Sequence, residues 1–580
     1  MNSIKTACPL DCYDSCEIVF QNNRLKAKKD EHTQGFLCPH LNHYEKFKTI
    51  QSASYKGKNI SLENSLELLK SMLQKSAKNE ILHYRGNGNF GLMQEVTDHF
   101  FSSFGATLTD GNLCDGAGEF GIVAGRGSNK NMPLSEIEKS EVVILWGRNP
   151  HTTSSHLLPI LKDKTIIVID PIQTEIAKKA KLHIQLKPHG DYALAMLLSR
   201  FAFLNGFCDE TYMAKYANEY EEFYELTQTI RIKATTQEID VTLGEIGKVL
   251  ESMKNKRVAI VCGVGIQKYS DGADIMRAID AFAIFMGLFG KEGSGVSYLG
   301  NSKEGIVSPF YQTKKRKVSK VDTSFSSYRT VFIQGANPLS QMPNSLRVLS
   351  SIEKVENLIY FGLYENETSE KADLIIPAKS FLYKNDIRTS YSHNAMMMMN
   401  MCLESENGIS EYELANYLCK AFDIELESES FYLNHFKSFA KKDKSGSLVV
   451  RQRELIPYIN NFDTTDGEFQ FLEEYDNDFD MKNKLFLITS KSKNSLNSQF
   501  KRDDSVHLNS SYGYKENEIV IILSINGKIR LKVKIDDRIR EDSVLIYSGT
   551  KGVNILTSSK HSLEGKNAIY QELKVEIIKD

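Results

Sequence analysis

The sequence predicts an α/β body built on doubly wound parallel sheets, with a small β module at each end. Three observations predict it: short apolar runs alternate with stretches of helical period through the middle, four cysteines crowd the first forty residues, and the last hundred are rich in strand patterns. A chain of 580 residues exceeds one ordinary core, so several domains are expected. Hydrophobic residues make up 41 %, charged residues 25 % and the net charge is −2, with no basic bias toward nucleic acid.

At the amino end, CPLDCYDSC followed by GFLCPH spaces Cys8, Cys12, Cys16 and Cys38 as C-x3-C-x3-C-x21-C. Thiolates are the usual ligands of iron–sulfur clusters, and three close cysteines with a distant fourth suit a [4Fe-4S] cluster. The alternatives are tetrahedral zinc, which usually shows two C-x2-4-C pairs, and two disulfides, which need an oxidising compartment. Cys114, Cys208, Cys262, Cys402 and Cys419 bring the total to nine, an odd and scattered set that fits ligands plus buried thiols in a reducing compartment. The opening MNSIKTACPLDC has no apolar signal core, and no later stretch reaches about 18 uninterrupted apolar residues, so a cytoplasmic protein without membrane insertion is expected.

The body begins after the cysteine segment. EILHYRG at 80–86, EVVILWG at 141–147, TIIVID at 165–170, RVAIVCG at 257–263, TVFIQG at 330–335 and NLIYFG at 357–362 read as buried strands. Helical period at 91–104, 173–181, 191–205, 238–253 and 272–287 supplies the covering layers. Several strands end in glycine, where a ligand can approach the backbone at the carboxyl edge of an open sheet. The acidic and aromatic stretch 425–480 reads as a connection. From 484 onward KLFLITS, EIVIILSINGKIRLKVKIDD and SVLIYSG form a separate barrel-like β module, with a tight hairpin at INGKIR because Asn-Gly suits a type I′ turn.

These segments occur in a telling order: the four-cysteine segment, WGRNP, IDP, KPHGDYAL, CGVGIQKYSDG, QGANPLSQMP, EKADLIIPAKSFLYK, LITSKSKNSLNSQF and GVNILT. In that order the chain resembles the prokaryotic molybdopterin oxidoreductases, the dimethyl sulfoxide reductase and formate dehydrogenase superfamily. The resemblance spans nearly the whole chain. It implies a [4Fe-4S] domain at 1–55, one α/β dinucleotide-binding domain at 56–107 joined with 327–480, a second at 108–326, and a C-terminal double-psi β-barrel at 481–580. The implied cofactor is bis-molybdopterin guanine dinucleotide carrying Mo or W, with Gly147, Arg148, Asn149, Asp170 and Asp191 facing one dinucleotide and Gly335, Asn337 and Pro338 the other. Gly263, Gly265, Ser498 and Asn554 belong to the same implied contact set. Taken singly, such Gly, Asn and Pro residues are also ordinary strand-end turns.

Cys114 in TDGNLCDGAGEFGIVAG is implied as the metal ligand, and its soft thiolate suits a dithiolene-bound metal; a free cysteine is otherwise most often a small buried hydrophobe. Two departures stand out. Formate dehydrogenases resembling this chain carry a His after the ligand, where Asp115 stands here, so the resemblance leaves formate as substrate open. Asp115 acts as an acid or base if burial raises its pKa toward neutrality, and is otherwise a loop residue or helix N-cap. Many relatives carry a Lys after the fourth cysteine, where CPHLNHYEK offers His40, with His43 and Lys46 nearby; His40 can hydrogen-bond a pterin.

The run Met396 to Met401 reads as core or cofactor packing, KKRK at 314–317 as a solvated loop, and Trp146 as packed on the dinucleotide or the core. The implied activity converts a small-molecule substrate at the metal and passes electrons through the cluster to an external electron-transfer protein. Alternatives on the same scaffold are a non-redox hydratase or lyase using the metal as Lewis acid, and an electron-transfer subunit that has lost the metal.

Overall fold

The computed structural model describes residues 3–29, 33–42, 44, 47–86, 88, 90–111, 113–217, 219–310, 316–404, 407–444, 446–475 and 485–580. Ile4–Ala7 (β1), Glu17–Gln21 (β2) and Arg24–Ala27 (β3) form an antiparallel sheet at the amino end. Its β1–β2 connection carries Cys8, Cys12 and Cys16. His43 and Lys46 lie outside the described residues.

Two larger sheets make up the body. The first contains Ala53–Tyr55 (β4), Lys58–Ile60 (β5), Ile81–Arg85 (β6) and Thr107–Asp110 (β7). The second contains Val142–Trp146 (β8), Thr165–Ile169 (β9), Leu182–Ile184 (β10), Val258–Cys262 (β11) and Gly295–Ser297 (β12), all parallel, in the order β10-β9-β8-β11-β12. The chain then returns to the first sheet with Lys317–Ser319 (β13), Thr330–Gln334 (β14), Asn357–Gly362 (β15) and Leu374–Pro377 (β16), giving the order β13-β7-β6-β14-β15-β16-β4-β5. Only β4 runs against the others, antiparallel to both β16 and β5.

The apolar runs fall where the sequence predicts strands because both sheet faces are covered: every residue of β8, β11 and β14 is buried. In each sheet the strand order reverses once, between β8 and β11 and between β6 and β14. Open α/β sheets bind ligands at such a reversal, outside the carboxyl ends. The helices Asp191–Leu204 and Gly272–Phe285 pack on one another and are buried on almost every side, more than their predicted amphipathic pattern implies.

Two expectations are corrected. Residues 173–181 form no helix; only a single 3-10 turn, Ala177–Lys179, fits between β9 and β10. The INGKIR hairpin exists, between Ile519–Leu523 and Lys528–Ile535, but its turn is not type I′. The register makes Ile525 and Asn526 the central pair, and neither Asn526 nor Gly527 has positive φ. Gly527 is required instead by packing, since a Cβ there would lie 2.7 Å from Ile555 Cγ2. The connecting stretch contains a helix, Glu429–Lys437, and a hairpin, Ala440–Lys442 with Leu448–Val450. Of the KKRK run, Arg316 is exposed and Lys317 opens β13.

The carboxyl end closes a six-stranded barrel in the order Leu485–Ile488, Ser543–Leu545, Ser505–Leu508, Lys528–Ile535, Ile519–Leu523, Lys574–Lys579. His507 is buried in it between Asp503, 3.3 Å from Nε2, and Asp536, 3.7 Å from Nδ1. Burial lowers its pKa, but the two carboxylates outweigh burial and the net shift is upward. A raised folded pKa stabilises below the unfolded value and is lost as pH rises through the folded value. The barrel's thermal transition is therefore expected to fall between pH 6 and 8, a decline that His507→Asn flattens in calorimetry. Among the described residues no helix is long and apolar enough to cross a membrane.

Candidate active site

The cysteine segment is tied to three other parts of the chain. Cys8 N–H donates to the Cys16 carbonyl at 2.9 Å, closing the β1–β2 loop, and Cys38 precedes the short helix Pro39–Asn42. All four cysteines are free thiols. Burial pushes each thiol up, Cys38 to about 12, and every one of them feels the charge of Asp14. Cys16 is further raised by the other three cysteines, so the four lie within mutual electrostatic reach.

Asp14 and His156, both buried, join this loop to the five-stranded domain. Asp14 Oδ2 lies 3.0 Å from His156 Nδ1, Cys16 Sγ lies 3.5 Å from the same nitrogen, and His156 Nε2 faces the Phe36 carbonyl at 3.0 Å. A hairpin of Asp386–Arg388 (β17) and Met397–Met399 (β18) clasps the loop from the other side. Ser390 Oγ donates to the Tyr13 carbonyl, His393 Nε2 lies 3.1 Å from the Asp14 carbonyl, and Asn400 Nδ2 donates to the Lys5 carbonyl. Of the methionine run, Met396, Met397 and Met399 are core, with Met397 and Met399 packed against Ala7, Cys8 and Cys16, whereas Met401 is exposed. Sequence reasoning missed Asp14, His156, Arg388 and His393, since none stands in a periodic or spaced motif.

Cys114 and Asp115 stand at the start of the helix Gly116–Arg126. Asp115 occupies the N-cap position, but its side chain makes no capping bond. Gln267 pins this loop: its Nε2 donates to the Cys114 carbonyl at 2.7 Å and its Oε1 accepts from Gly118 N–H at 2.9 Å. The glycines of the loop admit close-packed protein backbone. A Cβ on Gly116 would meet the Gly565 carbonyl at 2.5 Å, and one on Gly121 the Ala273 carbonyl at 2.0 Å.

Both titratable groups are half-buried yet deeply set. Burial raises Cys114 to about 11, against the Lys268 charge, and raises Asp115 to about 7, assisted by Glu119 and Asp11 and opposed by Lys268. The Lys268 ammonium stands 4.8 Å from the Tyr570 ring centroid, and Tyr298 OH, near Gly118, has no hydrogen-bond partner among the described residues. Cys114 therefore shares its surroundings with an acid of near-neutral pKa, a lysine and a phenol.

The predicted dinucleotide turns sit at the two strand-order reversals. Gly147 (φ +60°) ends β8 and lies against Gly263, which ends β11: a Cβ on Gly263 would be 1.8 Å from the Gly147 carbonyl oxygen. Gly335 (φ +55°) ends β14 and lies against Gly86 in the same way. Arg148 bonds Ser154 and stacks 4.5 Å over Tyr13, and its buried Nε has no partner among the described residues. Asn149 Nδ2 donates to Thr152 Oγ1 at 3.2 Å, while its buried Oδ1 likewise has no partner among them. Asp170, raised to about 7 by burial, accepts from Ile172 N–H at 2.8 Å. Asp191 accepts from the indole of Trp146 at 2.7 Å, so both residues hold the core together beneath the turn.

At the other reversal, Asn337 Nδ2 donates to Glu367 at 2.8 Å and to Ser498 Oγ at 3.0 Å, and Pro338 opens the helix Pro338–Gln341. Asn554 Nδ2 donates to the Ser340 carbonyl at 2.7 Å, docking the barrel on that helix. His40 stacks near Phe500, its Nε2 buried with no hydrogen-bond partner of good geometry among the described residues; burial lowers its pKa, against backbone contacts at Ser495 and Lys493. Gly265 stands apart, since a Cβ there would meet only Gln571 Nε2 at 4.0 Å. A separate cleft of 680 Å³, lined by Glu141, Lys164, Lys181 and Lys256, opens at the amino ends of β8 to β10, away from both reversals.

Comparison with known proteins agrees with this layout. The solved structure of acetylene hydratase from Pelobacter acetylenicus superposes with a TM-score of 0.80 over 99 % of this chain and all of that one, at 12 % identity, which is a likeness of fold. The "Probable oxidoreductase YyaE" of Bacillus subtilis is 27 % identical over 524 residues, 80 % of this chain and 78 % of the relative. Formate dehydrogenase H of Escherichia coli is 22 % identical over 297 residues, 44 % of this chain and 41 % of that protein. The family model described as molybdopterin oxidoreductase matches residues 63–421, from the first helix of the large sheet through both strand-order reversals. That match covers more than half of the chain, which thus belongs to the molybdopterin oxidoreductase family of enzymes.

Proposed function

We propose that this chain is a molybdenum- or tungsten-dependent oxidoreductase that holds bis-molybdopterin guanine dinucleotide and one [4Fe-4S] cluster, and exchanges electrons between a small substrate and an external carrier protein. The observation that carries the reading is the set of buried polar atoms without a protein partner on residues expected to face the cofactor: His40 Nε2, Arg148 Nε and Asn149 Oδ1. Leaving such an atom unpaired costs about 1–3 kcal/mol. Arg148 and Asn149 follow β8 at the reversal between β8 and β11, which supports a large polar ligand at that place.

When bound, the metal and its pterins supply the redox centre, and the protein supplies ligands, orientation and electrostatics. Cys114 would hold the metal, and Gln267 fixes the loop that presents it. Asp115, with a pKa near 7, can take or return a proton beside that ligand. Lys268 offsets the negative charge of both.

Cys8, Cys12, Cys16 and Cys38 would hold the cluster. Their C-x3-C-x3-C-x21-C spacing favours a cluster over zinc, which usually shows two C-x2-4-C pairs. The double-psi reading of the barrel is supported by its two parallel pairs, Leu485–Ile488 with Ser543–Leu545 and Ser505–Leu508 with Lys528–Ile535.

Anaerobic purification from a host supplied with molybdate and tungstate is expected to yield about four irons, one Mo or W and two GMP per chain by mass spectrometry and nucleotide release. Iron without Mo, W or pterin would sink the reading. Dye-coupled turnover with nitrate, S-oxides, N-oxides, polysulfide or aldehydes is the second expected outcome, and water addition without electron transfer would replace the oxidoreductase assignment by a hydratase.

A further inference from the structure

A buried cation stands against the loop from Cys8 to Cys16 and, among the described residues, forms no ion pair with a carboxylate. Arg388, at the end of β17, has no exposed surface. Its Nη2 donates to the Leu10 carbonyl at 2.6 Å and to Ser15 Oγ at 2.9 Å, both inside the loop from Cys8 to Cys16. The guanidinium lies 4.7 Å from the Phe90 ring centroid. Its Nε and Nη1 are buried and have no hydrogen-bond partner among the described residues.

A buried guanidinium without an anion is strongly disfavoured, and the folded state tolerates one only where negative charge stands close. The segment it holds, Leu10 to Ser15, lies between Cys8 and Cys16, two of the four cysteines expected to hold the cluster. Shape alone does not explain the residue. Ser390, His393 and Asn400 already hold the backbone of the same segment with donors of their own, at Tyr13, Asp14 and Lys5.

We propose that Arg388 is the counter-cation of the cluster held by Cys8, Cys12, Cys16 and Cys38, a positioning residue that fixes the Leu10–Ser15 turn and raises the potential at which the cluster accepts an electron. The proposal rests on the cluster assignment above. Four thiolates on a [4Fe-4S] core carry net negative charge that grows by one unit when a single electron is taken up from a reductant. A fixed cation at close range in a low-dielectric surrounding favours the more negative state.

The test is a dithionite titration of the anaerobically purified holoenzyme, monitored by electron paramagnetic resonance of the reduced cluster, in wild type, Arg388→Gln and Arg388→Lys. Iron and acid-labile sulfide are measured first. Wild-type protein lacking both overturns the cluster assignment itself, and is thereby told apart from failure of the present proposal.

With about four irons per chain in each protein, Arg388→Gln is expected to reduce at a clearly more negative potential than wild type, with Arg388→Lys much nearer to wild type. Wild-type potentials in both variants, or equal shifts in both, overturn the proposal. Should Arg388→Gln fail to retain iron, Arg388→Lys decides, because it keeps the charge and loses the planar fork. A wild-type potential in that variant supports the counter-cation, and a negative shift overturns it.

Discussion

Replacing Cys114 with serine is expected to lower turnover by on the order of a hundredfold or more while leaving the iron content and the fold intact. Loss of an outer-sphere partner alone costs 10- to 100-fold at many metal sites, and loss of a ligand costs at least as much. The fold should survive because the loop is held by contacts that serine keeps. It is held by the Gln267 bonds to the Cys114 carbonyl and to Gly118 N–H, and by the close backbone contact of Gly116 with Gly565. Thermal stability is therefore expected within about 1 kcal/mol of wild type. The decisive measurement is the electron paramagnetic resonance signature of Mo(V) or W(V) alongside iron content. An unchanged signature with unchanged turnover would return Cys114 to the role of a structural cysteine.

Strand positions were legible in the sequence because a strand covered on both faces leaves an uninterrupted apolar run, as in VVILW and VAIVC. The reversal of strand order was not legible. Nothing local in RVAIVCG says that β11 inserts beside β8 instead of β10; that follows from which helices must cover which face. Helix prediction failed at 173–181 for a related reason, since the apolar spacing there serves a strand-to-strand turn too short for a helix.

The candidate site was readable wherever chemistry imposes spacing. The four cysteines and the Gly-x-Asn-Pro turns after β8 and β14 belong to that class. Arg388, Asp14, His156 and Gln267 do not: each acts across more than a hundred residues of sequence, and an isolated arginine or histidine carries no signature until the fold brings it to a thiol. Asp191 shows the opposite limit. Its place after KPHG suggested a cofactor contact, while its carboxylate receives the Trp146 indole and so has a structural duty that the sequence could not display.

Glycines give the sharpest separation between the demands of packing and those of a ligand. Gly263→Ala is expected to destabilise the protein by on the order of 3 kcal/mol and to abolish soluble expression at growth temperature. The added Cβ would lie 1.8 Å from the Gly147 carbonyl oxygen and 2.5 Å from its carbon, so backbone has to move at the point where two buried parallel strands end. Gly265→Ala, only two residues on, is expected to fold normally. Its φ is not positive and a Cβ there meets nothing nearer than Gln571 Nε2 at 4.0 Å, so alanine is accommodated and can stabilise by up to about 1 kcal/mol by restricting the unfolded chain. If the open space beside Gly265 receives the dinucleotide, the same substitution lowers the GMP recovered per chain. Denaturant unfolding and nucleotide release on the two variants separate the cases: a stable Gly265→Ala protein with full GMP content would remove Gly265 from the cofactor contacts, and a stable Gly263→Ala protein would show that the crossing of β8 and β11 can relax without loss of the fold.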